Sequence, residues 1–220
     1  MTEDTYGWRD GAPPHTCGYL APAIIRVLRR LDGVDRVLDL GAGNGSLCAE
    51  VGRAGFRAVG MESDAQGVAI ARAQHPGIRF HCLGVDEDPL ALLAQESRFD
   101  AVISTEVIEH LFAPHRLPRF AAAVLKPGGA LIISTPYHGY LKNLALSIFD
   151  KWDDHHTPLW HGGHIKFWSR ATLGQLLEEN GFELTGFEGV GRVPHLCKSM
   201  IMGARKRDVV APEPAEIRSS

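Results

Sequence analysis

Residues 37–45 read Val37-Leu38-Asp39-Leu40-Gly41-Ala42-Gly43-Asn44-Gly45. A short apolar run, Arg36–Leu40, ends in a turn with glycine at every second position, and Ser46–Ala54 follows with helical character. Glycine at the mouth of a strand supplies turn dihedrals closed to other residues and lets the backbone come close to a ligand. A bare G-x-G belongs to many nucleotide-binding folds; two details narrow it. The spacing is G-x-G-x-G, not the G-x-G-x-x-G that seats a pyrophosphate on a helix N-terminus. Asp39 also precedes the first glycine by two residues, where a carboxylate complements a cation and repels a diphosphate.

Outward from this turn, strand-like and helix-like runs alternate. Arg57–Met61 reads as a second strand, Ala65–Gln74 as a helix, Ile78–Leu83 as a third strand, Pro89–Gln95 as a short helix and Asp100–Ser104 as a fourth strand. A helix over Leu117–Leu125 meets Lys126-Pro127-Gly128-Gly129, a Pro/Gly terminator, before a fifth strand at Ala130–Ser134. Strands that are apolar on both faces, separated by helices, predict an α/β fold: a doubly wound, mostly parallel sheet covered on both sides. Upstream, Leu20, Ile24, Val27, Leu28 and Leu31 share one face of a helix over Gly18–Leu31. After the fifth strand the rhythm breaks into a His- and aromatic-rich insert, 136–168. A helix then starts at Ser169, a good N-cap, and stops at Gly181. Strands at Phe182–Val190 and Ser199–Ala204 complete the sheet as a hairpin. The organisation expected is an N-terminal arm (1–17, mobile over its first fifteen residues), one domain (18–206) with a substrate-side lid (136–168), and a Pro/Glu-rich disordered tail (207–220).

The 220 residues suffice for one large domain. A net charge of −3 gives no general attraction for nucleic acid or anionic lipid. No run of about 18 apolar residues occurs to span a membrane, and the acidic, Gly/Pro-broken start is unlike a secretory signal, so a cytoplasmic protein is expected. Cys17, Cys48, Cys82 and Cys197 are scattered without a C-x-x-C pair and read as reduced thiols.

Glu62 closes the second strand, where an acid accepts both ribose hydroxyls of a bound nucleoside. Asp86, in Leu83-Gly84-Val85-Asp86, is placed for an adenine amine or, equally, as a solvated helix-start acid. Together with Asp39 this favours S-adenosylmethionine over a nicotinamide dinucleotide. The run VLDLGAGNG, then GME, FDAVISTEVIEHL and VLKPGGALIISTP, resembles the class I S-adenosylmethionine-dependent methyltransferases over about Leu20–Arg205. EVIEHL, LKPGG and STP are most similar to the ubiquinone-biosynthesis O-methyltransferase group. The resemblance implies a seven-stranded sheet whose last strand is antiparallel. It also implies cofactor roles for Asp39, Gly41, Gly43, Glu62, Asp86 and Thr105, with Ala42, Asn44, Ser63 and Glu106 completing the set.

Glu106, Glu109 and His110 fall at i, i+3 and i+4; if helical, they share one face. Two carboxylates and an imidazole so placed can ligate a divalent cation such as Mg2+, with a further ligand from His155, His156, His161 or His164 of the insert. His164 is favoured: its segment resembles one in the ubiquinone O-methyltransferases and in the small-RNA 2′-O-methyltransferases, and the latter use a similar E-x-x-E-H for magnesium. The plain alternative is that the acids favour a helix start and His110 is a core histidine. His138, His156 and His164 are the candidate general bases, imidazole being suited to proton removal near neutrality. Tyr137, His138, Tyr140, Trp152, Trp160 and Trp168 would wall off an acceptor, or else cover a sheet edge or a homodimer contact. The expected reaction is methyl transfer to a hydroxyl of a small molecule. The competing readings are an RNA-terminus 2′-O-methyltransferase, against which the dispersed Lys and Arg weigh, and a non-catalytic cofactor-binding relative.

Overall fold

Val37 and Leu38 leave opposite faces of the first strand and both are fully buried, so the sheet must be covered twice. The structure, a computed structural model, describes residues 7–8, 10–156, 159, 163–192 and 196–207. In chain order the elements are α1 (Cys17–Arg29), β1 (Arg36–Leu40), α2 (Ser46–Arg53), β2 (Arg57–Glu62), α3 (Ala65–Gln74), β3 (Arg79–Cys82), α4 (Pro89–Leu93) and β4 (Phe99–Thr105). A single 3-10 turn (Ile108–His110) follows, then α5 (Arg116–Val124), β5 (Leu125–Pro136), α6 (Tyr140–Ile148), α7 (Trp152–His156), α8 (Arg170–Glu179), β6 (Phe182–Val190) and β7 (Ser199–Lys206).

The seven strands form one sheet in the order β3-β2-β1-β4-β5-β7-β6. Pairings among β1–β5 are parallel, and β7 runs antiparallel to both β5 and β6. One face packs Leu38, Met61, Val102 and Ile133 against Leu117, Phe120, Leu173 and Leu177 of α5 and α8. The other packs Val37, Ala101, Ile103 and Ile132 against Leu20, Ile24, Leu28 and Val51 of α1 and α2. Alternate residues of each strand therefore feed different cores. Ser169 caps α8 in a capping box with Thr172, and Gly181 follows with φ 85°.

One expected boundary is corrected. Lys126–Gly129 ends α5 but already belongs to β5, as an irregularity where pairing jumps from Phe99↔Leu125 to Ala101↔Ala130. The insert carries two helices, α6 and α7, because Tyr140–Ile148 contains neither proline nor glycine. Two described residues of the arm are held: the Asn44 amide donates to the carbonyls of Asp10 (3.3 Å) and Ala12 (2.8 Å). Trp160, His161 and the tail beyond Arg207 lie outside the described residues. Among the described residues no helix is long and apolar enough to cross a membrane, and all four cysteines are free thiols.

Candidate active site

The strand order reverses between β1 and β4, and in open α/β sheets ligands bind outside the carboxyl ends of the strands at such a reversal. A cavity of about 780 Å³ lies there. Its walls are Asp39–Ala42 and Asn44, Met61–Asp64 after β2, Leu83–Val85 after β3, Thr105–Val107 after β4, and Trp8, Pro14 and Thr16 of the arm.

The glycine turn is pinned from below, since the N–H groups of Gly41 (2.8 Å) and Ala42 (2.9 Å) both donate to the Met61 carbonyl. Gly41 has φ 84°, and a side chain there would run into Val107. Glycine is thus required twice, by dihedral and by space. At Gly43 a side chain would strike the Trp8 ring, which lies against the turn. Glu62 is held locally: it accepts from Gly43 N–H (2.9 Å), Asp64 N–H (2.9 Å) and the Ser63 hydroxyl (3.2 Å).

Asp39 is the opposite case. It is 1% exposed, and among the described residues neither oxygen makes a hydrogen bond. Burial, then the charge of Glu62, pushes its pKa up to about 7, with the Cys48 amide offsetting only part of this. A buried unpartnered carboxylate calls for an explanation. In a cavity of ligand size, lined by glycine backbone, a cofactor carrying an ammonium group supplies one, and the residues present fit S-adenosylmethionine.

The other expected cofactor residues divide. Ala42, Ser63, Thr105 and Glu106 line the cavity. Asn44 also lines it, but its amide nitrogen holds the arm while its oxygen accepts from the Ser46 N–H and hydroxyl. Asp86 is not among the lining residues and pairs with Arg116 at 2.9 Å.

A second cavity of about 400 Å³ is bounded by Gly7, Trp8, Pro14, His15, Thr16, Glu106, His110 and His164. Trp8, Pro14, Thr16, Glu106 and His110 line both, so the two are contiguous. The expected helical Glu-x-x-Glu-His face does not form. The Glu106 N–H still bonds the Ser134 carbonyl, one residue beyond the β4–β5 ladder, and Glu106 takes φ 55°. Helical bonding begins only at the 3-10 turn, so Glu106 leaves the group. Its carboxylate accepts from the hydroxyls of Ser134 (2.8 Å) and Ser199 (3.2 Å), and burial pushes its pKa up to about 7 despite them.

Glu109, His110 and His164 do come together, with one potential ligand atom from each within 4.8 Å of the others. Glu109 is buried; Thr135 donates to Oε2 at 3.0 Å, and Oε1 has no hydrogen-bond partner among the described residues. Burial, then the charge of Glu106, pushes its pKa well up. His110 Nδ1 lies 3.2 Å from the Gly163 carbonyl. A carbonyl only accepts, so Nδ1 carries the proton and Nε2 keeps its lone pair. The N–H groups of Ile165 and Lys166 both bond the Glu109 carbonyl at 3.0 Å, which fixes the His164 segment beside the turn.

Among the candidate bases whose side chains are described, His164 borders the smaller cavity, and His138 lines neither cavity. His138 sits with Nδ1 3.3 Å from Asn143 Oδ1, its ring 5.1 Å from those of His155 and Phe167. The side chain of His156 lies outside the described residues. The insert aromatics that are described line neither cavity: Tyr137 packs near Phe187, Tyr140 is exposed, Trp152 bonds Ser147 and Trp168 is in the core. Their place is taken by Trp8 and His15, which sequence reasoning missed. The available signal was a tryptophan inside a polar Gly/Pro arm, where it needs a surface to cover.

A family model described as "Methyltransferase domain" matches residues 15–186. Among curated proteins, the chain is 31% identical to a ubiquinone biosynthesis O-methyltransferase of Bradyrhizobium diazoefficiens, covering 84% of this chain and 75% of that one. It is 33% identical to the protein of the same name from Bradyrhizobium sp., covering 70% of this chain and 61% of that one. Among solved structures, magnesium protoporphyrin IX methyltransferase from Synechocystis with bound SAH superposes with a TM-score of 0.62 at 19% identity, covering 91% and 90% of the two chains.

Proposed function

This chain belongs to the methyltransferase domain family of class I S-adenosylmethionine-dependent enzymes, and on that premise we propose that it methylates a hydroxyl of a small, planar acceptor held in the smaller cavity. The observation that carries the reading is the pair of contiguous cavities, the larger holding the orphaned Asp39 carboxylate and the smaller meeting it at Glu106 and His110. The names of the curated relatives support a hydroxyl acceptor.

Asp39 would take the cofactor's ammonium, the turn at Gly41 and Ala42 would let its chain approach, Glu62 would receive the ribose hydroxyls, and Gly84 and Val85 would lie against the adenine. When bound, the cofactor supplies an electrophilic methyl on a sulfonium, which is already a good leaving group. The protein's task is to hold the acceptor oxygen in line with that methyl and to accept its proton. Glu106 suits the second role: it borders both cavities, and its pKa near 7 matches proton transfer at neutral pH.

Glu109, His110 and His164 would hold a divalent cation. Two imidazoles and one carboxylate suit zinc, manganese or iron(II) better than magnesium, which prefers oxygen ligands. A cation there would lower the pKa of an acceptor hydroxyl. The test is calorimetry with S-adenosylhomocysteine and with NADH, followed by a screen of hydroxylated aromatics for methylated products, with and without EDTA. Homocysteine-nucleoside binding, product 14 Da heavier and EDTA sensitivity are expected. Heat with NADH alone would overturn the reading, activity indifferent to EDTA would remove the metal, and turnover collapsing between low and moderate salt would point to RNA as acceptor.

A further inference from the structure

His15 borders the smaller cavity, and 183 positions later in the chain Lys198 places its ammonium 2.8 Å from His15 Nε2. An ammonium has donors and no acceptor. In this pair the imidazole therefore accepts through Nε2, and its single proton resides on Nδ1.

The pair is braced. The backbone of Lys198 continues the sheet edge, its N–H donating to the Val190 carbonyl (2.9 Å) and its carbonyl accepting from Tyr137 N–H (3.0 Å). Its ammonium lies 5.4 Å from the centre of the Tyr19 ring, and the His15 ring meets the same tyrosine edge-on at 5.8 Å. Tyr19 is in turn held through its hydroxyl, 3.0 Å from Ser199 Oγ. Gly191 leaves the room, because a side chain there would press on both Lys198 and Tyr19. Lys142 also reaches this edge, donating to the Lys198 carbonyl at 3.3 Å. The lining of the cavity thus includes an imidazole backed by a cation as well as the Glu106 carboxylate.

We propose that His15, fixed by Lys198 with its proton on Nδ1, is an acceptor-recognition residue that donates to an anionic oxygen of the acceptor, so that the cavity selects acceptors carrying a carboxylate besides the hydroxyl to be methylated. Lys198 is the positioning residue: it sets the tautomer and polarises the donor. This rests on the smaller cavity being the acceptor site.

The experiment uses the full chain saturated with S-adenosylhomocysteine and two probes, 3,4-dihydroxybenzoate and catechol, titrated by calorimetry at pH 7.5. Wild type should bind the carboxylate probe about tenfold more tightly, the scale of one charge-assisted hydrogen bond. His15→Phe should abolish the preference, and His15→Asn, whose amide nitrogen stands where Nδ1 stood, should keep most of it. Lys198→Met should narrow it, and histidine 15N spectra should show a single Nδ1–H tautomer at His15 becoming a mixture in that variant. S-adenosylhomocysteine affinity should be the same in all four proteins. A preference that survives His15→Phe, or none in wild type, overturns the role of His15 while leaving methyl transfer standing. Wild type that fails to bind S-adenosylhomocysteine brings down the functional reading and this proposal with it.

Discussion

The two cavities meet at Trp8 and Glu106, yet their walls are built in different ways. On the cofactor side one carboxylate, Glu62, is held by Ser63, Asp64 and the glycine turn, all close by in sequence or in the adjoining strand. The wall of the smaller cavity draws on Gly7, Trp8, Pro14–Thr16, Glu106, His110 and His164, with braces from Ser134, Lys198 and Ser199. The brace of Glu62 is short-range, whereas the braces of the smaller cavity form only in the completed fold.

Breaking the local side should have the largest effect. Gly41→Ala forces a left-handed dihedral on a residue with a side chain, costing about 1–2 kcal/mol, and drives that side chain into Val107, an overpacking cost of about 1–3 kcal/mol. Denaturant unfolding of the ligand-free variant should show a loss near 3 kcal/mol, with S-adenosylhomocysteine binding lost as well. A loss below about 1 kcal/mol would mean that the turn relaxes at little cost.

The non-local side should fail differently. His164→Ala should lower turnover about 10²-fold while leaving S-adenosylhomocysteine affinity within about twofold, because His164 borders only the smaller cavity. Partial recovery with excess zinc or manganese would identify it as a ligand. Turnover equal to wild type would exclude it from the mechanism.

The same division decided what could be read from sequence. The strands were legible because both faces are buried, which makes RVLDL and ALIIS near-continuous apolar runs. The glycine turn and Glu62 were legible because their contacts are short-range. Glu106 was misassigned to a helix because nothing in TEVIEH announces that its N–H stays bonded to Ser134 of the neighbouring strand. His110 and His164 were paired by analogy with relatives, since the Glu109 carbonyl that anchors the second to the first is a backbone feature. His15 and Lys198, 183 residues apart, leave no periodicity or spacing to detect.

Asp39 belongs to the local side by position but resembles the acceptor side in being buried without a partner, and its titration can sharpen the contrast. Its pKa rises from 3.8 to about 7, through burial first and the charge of Glu62 second. In that window the folded state keeps a proton that the unfolded chain has released. The stability due to this group is therefore full below pH 3.8 and is lost as pH rises through about 7, so the ligand-free protein weakens toward neutrality. A cationic ligand needs the ionised carboxylate, so binding runs the other way. Affinity for S-adenosylhomocysteine should climb up to about pH 7 and level off above it, with proton uptake by buffer visible in calorimetry below the plateau. Asp39→Asn should flatten both curves, lower affinity at pH 8 about tenfold, and raise ligand-free stability there by removing a buried charge. An affinity independent of pH in wild type would show that the carboxylate is not what receives the ammonium.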